Sequence, residues 1–160
     1  MKTLYLVRHA KSSWKFDVID HERPLNERGL EDAPAMAAHI AATMPKPDLM
    51  MSSDALRAKT TAVFFAQAYG IDDRSIELDY KLYDFAGADL VEVIRNVSDD
   101  VNCLMIFGHN NAMTNVVNTY GSKLIDNVST AAFTAITFDI DSWQNLRQGK
   151  TIYYKAPKEL

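Results

Sequence analysis

The chain has 160 residues, 48% of them apolar and 24% charged, with a formal net charge of −4. That length suits one domain with a sizeable core, spanning residues 1–160. With no basic block to neutralise a phosphate backbone, a nucleic-acid partner is not expected, and no apolar stretch nears the ~20 residues that would span a bilayer.

Taken in chain order, apolar runs alternate with segments of helical period. Thr3 to Val7 reads as a buried strand that ends on Arg8-His9. Lys11 to Pro24 is polar, aromatic and aperiodic, and reads as a surface loop beside that strand's end. Asn26 to Met44 predicts a helix capped by Asn26, with Leu30, Ala33, Ala37, Ile40, Ala41 and Met44 on the inward face. Pro34 should kink this helix or delay its start, and Pro45 and Pro47 end it. Asp48 to Ser52 is a short strand. Ala55 to Tyr69 follows as a helix, with Ala58, Ala62, Phe65 and Tyr69 inward and Gly70 closing it.

Ser75 to Leu78 suggests a third strand, and Ala88 to Val97 a helix through Leu90, Val93, Ile94 and Val97. Asn102 to Phe107 is the next strand and Ala112 to Tyr120 the next helix, with Gly121 after it. Ala132 to Ile140 and Ile152 to Tyr154 supply late strands. This alternation predicts an α/β fold: a single-domain, three-layer sandwich with a mainly parallel central sheet and helices on both faces.

The one cysteine, Cys103, lies in an apolar run, reads as core and excludes an intrachain disulfide, as expected of a reducing compartment. The apolar run behind Met1-Lys2 is too short for a signal-peptide core, so a cytoplasmic location is expected.

In doubly wound sheets, ligands bind beyond the carboxyl ends of the strands. That rule gathers Arg8-His9, the Ser52-Ser53 turn before Arg57, and Gly108-His109 on one edge of the molecule. Taken singly, each has an ordinary reading. A histidine at a strand end can be a surface or core residue, Arg8 an ion-pair partner, and Arg57 a decoration of a helix's first turn. A cation at that turn opposes the helix dipole, however, which makes it a poor purely structural choice. Together the four residues point to phosphoryl chemistry. Two guanidinium forks can hold phosphate oxygens in a bidentate manner, and His109, if protonated, adds a third donor. His9, with an ordinary pKa near ~6.5, offers a nitrogen lone pair for attack. Its other ring nitrogen needs an acceptor, such as a backbone carbonyl, to fix the tautomer. His21 and His39 read as loop and helix residues without a role.

Competing motifs are absent. The six glycines are isolated, so there is neither a P-loop nor a GxGxxG turn. Six residues after Cys103 stands His109 rather than the arginine a cysteine phosphatase needs. No metal-type histidine spacing and no G-x-S-x-G elbow occur.

Arg8-His9-Ala10-Lys11-Ser12-Ser13-Trp14, followed by Arg23-Pro24-Leu25-Asn26-Glu27-Arg28-Gly29, resembles the histidine phosphatase superfamily and, within it, the small SixA-type phosphohistidine phosphatase branch. Ser52-Ser53 with Arg57-Ala58 and Thr60 is similar to the family's second arginine motif, and Gly108-His109-Asn110 to its second histidine motif. Ser129-Thr130-Ala131-Ala132 and Trp143 extend the likeness over most of the chain. The resemblance implies that His9 is the phosphate-accepting nucleophile, that Arg8, Arg57 and His109 form the phosphate pocket, and that no metal or organic cofactor takes part.

The family's usual Arg-His-Gly is here Arg8-His9-Ala10, a change that a backbone of negative φ tolerates. Its mutase and sugar-phosphatase branches carry a proton-donating acid in an inserted segment. Here that interval is short and offers only Asp84, Asp89 and Tyr83, of which Asp89 reads as a helix cap. Asp84 and Lys15 are therefore candidate substrate-binding residues, and Lys11 and Lys15 border the site where they could attract an acidic partner surface. An alkoxide leaving group needs a proton, whereas N-protonated phosphohistidine expels neutral imidazole. The expected activity is thus a protein phosphohistidine phosphatase releasing inorganic phosphate. The rivals are a small-molecule phosphate monoester phosphatase and a non-catalytic phospho-ligand-binding module. With no surplus apolar stripe, a monomer is expected.

Overall fold

A computed structural model describes residues 1–160. Six strands and four helices form it: β1 (Lys2–Arg8), α1 (Glu27–Thr43), β2 (Leu49–Ser52), α2 (Leu56–Tyr69), β3 (Glu77–Leu78), α3 (Ala88–Arg95), β4 (Cys103–Gly108), α4 (Ala112–Tyr120), β5 (Phe133–Phe138) and β6 (Lys150–Lys155). The strands make one sheet in the order β3-β2-β4-β1-β5-β6. β1, β2, β3 and β4 run parallel, while β5 and β6 join antiparallel. The predicted mainly parallel α/β architecture therefore holds. No helix is long and apolar enough to cross a membrane.

Strand side chains alternate between the two faces of a sheet, and here both faces are buried. Leu4, Leu6, Leu104 and Ile106 face α3 and α4, where they meet Leu90, Ile94, Val116 and Val117. Tyr5, Val7, Met105 and Phe107 face α1 and α2, where they meet Met36, Ile40, Ala62 and Phe65. Phe65 and Phe107 pack edge to face at 5.2 Å. Full burial of side chains of this size is worth about 1.5–3 kcal/mol each, so these two clusters fix the sheet from both sides.

The first helix departs from expectation in two ways. It begins at Glu27 and runs through Pro34, so the later start does not occur. Asn26 caps it as predicted, its side chain accepting from Gly29 N at 2.8 Å. The inward stripe is Gly29, Ala33, Met36, Ala37 and Ile40, and Leu30 is exposed. The cause is a close approach at Gly29: a Cβ there would lie 2.1 Å from the Lys11 carbonyl oxygen. That contact turns Gly29 toward the β1 loop and Leu30 toward solvent. Elsewhere the differences lie at the ends. β3 keeps only two residues of its expected four, and α3 stops at Arg95 rather than Val97. β5 is shorter than its apolar run and β6 longer, extending to Lys150 and Lys155.

The parallel register places the site. Arg8 pairs with Gly108, and Ser52 with Phe107. The carboxyl ends of β1, β2 and β4 are therefore level, and His9, Ser53 and His109 each stand one residue beyond.

Candidate active site

Backbone hydrogen bonds hold the three strand ends together. His9 N donates to Gly108 O at 3.0 Å and Ser53 N to Phe107 O at 3.0 Å. Ala131, in the left-handed region at φ 61°, directs its N–H to the carbonyls of both Arg8 and His9. Ala10 N donates to Thr61 Oγ1 at 3.0 Å, and the Thr61 hydroxyl donates to Arg57 O at 2.8 Å. Thr61 thus ties the turn after β1 to the start of α2, and so sets Arg57 relative to His9.

His9 is buried, and its Nδ1 lies 2.7 Å from Ala10 O. A carbonyl can only accept, so the ring proton sits on Nδ1 and the lone pair on Nε2. Burial pushes the His9 pKa down to about 3, and the charges of Arg57, Arg8 and Arg23 push the same way against the Ala10 hydrogen bond. The ring is therefore neutral and nucleophilic at neutral pH.

His109 packs 5.2 Å from His9, ring centroid to ring centroid. Its Nε2 lies 2.8 Å from Ser53 Oγ, which also accepts from Ala55 N. A neutral His109 carries its proton on Nδ1 when the serine hydroxyl donates to Nε2, and on Nε2 when the ring donates to the serine oxygen. Burial, and then the proximity of His9 and Arg57, lower the His109 pKa to about 2. The sequence offers His109 as a third donor if protonated; its buried position instead favours the neutral ring, which donates only from the nitrogen that carries its one proton.

Arg57 is 2% exposed, donating from Nη1 to Asp20 O at 2.7 Å and from Nη2 to Asp20 Oδ2 at 2.9 Å. Arg8 Nη1 donates to Val128 O at 2.7 Å. Arg8 Nε, Arg57 Nε and His109 Nδ1 are buried without a protein partner. An unsatisfied buried donor or acceptor costs free energy, and all three belong to side chains lining one cavity of about 490 Å³. An oxyanion seated in that cavity would lie among these three side chains. Carboxyl-terminal strand edges, two guanidinium groups and a neutral imidazole lone pair together can bind a phosphoryl group and attack it.

The cavity brings together Arg8, His9, Arg57, His109 and Lys15, as the sequence predicts. Asp84 is outside it. The Asp84 carboxylate accepts from the backbone N–H groups of Ala86, Gly87 and Leu90, so it caps α3 rather than facing a substrate. Asp89, the expected cap, is merely an exposed acid in the first turn of that helix.

Sequence reasoning missed two residues of the Lys11–Pro24 segment, which borders the cavity instead of merely covering the surface. Asp20 accepts from Arg57, from Arg23 Nε at 2.9 Å and from the Tyr83 hydroxyl. Partial burial raises its pKa, but the hydrogen bonds from Tyr83, Arg57 and Arg23, with the Arg57 charge, outweigh this and hold the carboxyl well below its usual range. Arg23, 7% exposed, also donates to Ser12 Oγ at 2.9 Å and lies 3.5 Å from the centroid of the Trp14 ring. Arg23 opens the family-like run Arg23-Pro24-Leu25 but had no role assigned to it, and the only sequence signal for Asp20 was its place three residues before that arginine. No group of three or more His, Cys, Asp or Glu side chains is arranged to hold a metal ion.

Residues 4–102 match the model of the histidine phosphatase superfamily, branch 1. An uncharacterized protein of Mycobacterium tuberculosis is 34% identical over 103 residues, 64% of this chain and 62% of its own length. The match thus spans less than two thirds of that relative. Among solved structures, a candidate phosphohistidine phosphatase SixA of Agrobacterium tumefaciens superposes with a TM-score of 0.81 at 27% identity, over 98% of both chains. The protein histidine phosphatase SixA complexed with tungstate superposes with a TM-score of 0.80 at 16% identity, over 98% of this chain and 97% of that one. The latter likeness is one of fold.

Proposed function

Because the chain belongs to the histidine phosphatase superfamily, branch 1, we propose that it is a phosphatase that passes the phosphoryl group through His9, and that its substrate is a phosphohistidine on another protein. In this reading Arg8, Arg57 and the Nδ1–H of His109 hold the phosphoryl oxygens while His9 Nε2 attacks phosphorus. The P–N bond to the donor histidine breaks, and its electron pair returns to that nitrogen. A donor ring protonated at its other nitrogen leaves as neutral imidazole. Water then attacks the phosphorus on His9, the new P–N bond breaks back onto Nε2, and the proton lost by the water goes to solvent as inorganic phosphate departs. The Nδ1–H bond to Ala10 keeps His9 itself a neutral leaving group in that second step.

One observation carries the substrate class. Asp20 is the only carboxylate lining the cavity, and its three donors keep it ionised at neutral pH. A group held that far into its ionised form is a poor general acid. Phosphate monoesters of ordinary alcohols need such an acid, because an alkoxide leaves badly. Transfer between two imidazole nitrogens is nearly balanced and does not. Tungstate bound to a protein of the same fold agrees with an oxyanion site.

The His9→Ala variant tests the nucleophile. Brief mixing of the wild type with phosphoramidate and quenching in alkali should trap a base-stable, acid-labile phosphoenzyme. The variant should form none and turn nothing over, yet still bind vanadate. Full activity in the variant would end the assignment, and a wild type that binds vanadate but turns over no phosphate compound would favour a non-catalytic binding module.

A further inference from the structure

The segment that carries Asp20 also raises apolar side chains into solvent at the mouth of the site. Trp14 is 79% exposed, Phe16 59%, Val18 43% and Ile19 67%. Single exposed apolar residues are normal. Here four fall within six positions of one segment, and the first of them, Trp14, lines the cavity. Trp14 lies against the guanidinium of buried Arg23, so its indole is pre-set rather than free. A rigid aromatic anchor of this kind loses little entropy on contact and is the usual centre of a binding hot spot.

Reach distinguishes the ligands these side chains can serve. Trp14 lines the cavity, but Phe16, Val18 and Ile19 do not. A small phosphate compound seated on His9 therefore leaves them untouched, and only a chain extending over the rim meets them. Charge defines the partner further. Five cations and one carboxylate line the cavity, on a chain of net charge −4. The site is a positive island on an acidic molecule, and it favours an anionic centre with acidic neighbours. An anionic membrane fits less well, because Asp17, Asp20 and Glu22 share the segment and oppose its approach to charged headgroups.

Resting on the reading of a phosphohistidine substrate, we propose that Trp14, Phe16, Val18 and Ile19 dock the apolar flank of the protein segment that presents the phosphohistidine, while acidic neighbours meet the cations of the cavity, Lys11 and Lys15 among them. The loop thereby selects the substrate protein, while the strand-end residues handle the phosphoryl group. Phe16 and Ile19 lie outside the cavity, so replacing them separates the two tasks.

The probes are two short peptides, each phosphorylated on its single histidine with phosphoramidate. Both have glutamate beside the histidine; one adds leucine and phenylalanine, the other glycine and serine. The wild type should favour the apolar peptide by roughly tenfold in kcat/KM, the scale of one modest hot spot. The Phe16→Ser/Ile19→Ser double variant should lose that preference while hydrolysing phosphoramidate at the wild-type rate. Equal rates on both peptides in the wild type, or a preference that survives in the variant, would overturn the docking assignment alone. Wild-type binding to phosphatidylglycerol vesicles that the double variant loses would give the rim to a membrane and overturn it too. Failure to hydrolyse either peptide or phosphoramidate, with p-nitrophenyl phosphate still turned over, would instead remove the phosphohistidine reading and this assignment with it.

Discussion

Replacing Asp20 with alanine sets two effects of opposite sign against each other. A carboxylate beside a phosphate pocket repels the substrate, so its removal alone would tighten anion binding. It also holds Arg57 and Arg23 in place, through bonds of 2.9 Å each, and takes the Tyr83 hydroxyl. Charge-assisted hydrogen bonds are worth about 1.5–3 kcal/mol each. The Asp20 side chain is 42% exposed, so water replaces part of that interaction, and a total of about 2 kcal/mol is the discounted figure. Arg57, only 2% exposed, keeps its bond to the Asp20 backbone carbonyl but loses its orientation. If orientation outweighs repulsion, Asp20→Ala lowers kcat/KM for phosphoramidate by roughly 30-fold and weakens vanadate inhibition in parallel. Asp20→Asn should fall between, since its amide offers one acceptor but turns a donor toward the remaining partners. The assay is steady-state phosphate release with vanadate as competitor. Unchanged or tighter vanadate inhibition in Asp20→Ala would refute the positioning argument and leave repulsion as the larger effect.

Asp84→Ala should remove the α3 cap and cost about 1–2 kcal/mol, read as a lower urea midpoint. Its phosphoramidate rate should stay at the wild-type value, and a rate loss in the folded variant would return Asp84 to the site. His9 and His109 both have folded-state pKa values lowered, to about 3 and about 2. Their neutral forms therefore contribute stability that is complete above the unfolded value near ~6.5 and is lost as pH falls through that value toward the folded ones. The unfolding free energy, read from urea titrations, should drop between pH 7 and pH 5 by up to about 1.4 kcal/mol per pH unit for each ring. His109→Gln should flatten that slope, and a wild-type midpoint independent of pH over this range would contradict the buried, neutral pair.

Most of the sheet was legible because its strands are buried on both faces and read as continuous apolar runs. The level carboxyl ends of β1, β2 and β4 then followed from the binding rule for such sheets, and Arg8, His9, Arg57 and His109 did meet there. What periodicity could not convey was direction within a helix. Leu30 pointed outward because Gly29 met the Lys11 backbone, a contact between distant segments. Asp84 and Asp89 are both acids near one helix start, and only the backbone path decides which of them caps it. Asp20 and Arg23 lay in a segment without pattern, where role depends on folding back over the site rather than on spacing. The charge state of His109 was likewise set by burial, which composition does not report.

The measurement that bears most directly on the proposed function compares phosphate release from a histidine-phosphorylated protein with release from glycerol 2-phosphate, a monoester whose alkoxide needs a proton to leave, using His9→Ala as control. Fast, His9-dependent release from phosphohistidine with slow monoester turnover is the expected result, because Asp20 is held ionised and no other carboxylate lines the cavity. Monoester turnover equal to or faster than phosphohistidine turnover would contradict it, and would mean that a proton donor reaches the leaving group from outside this set of residues.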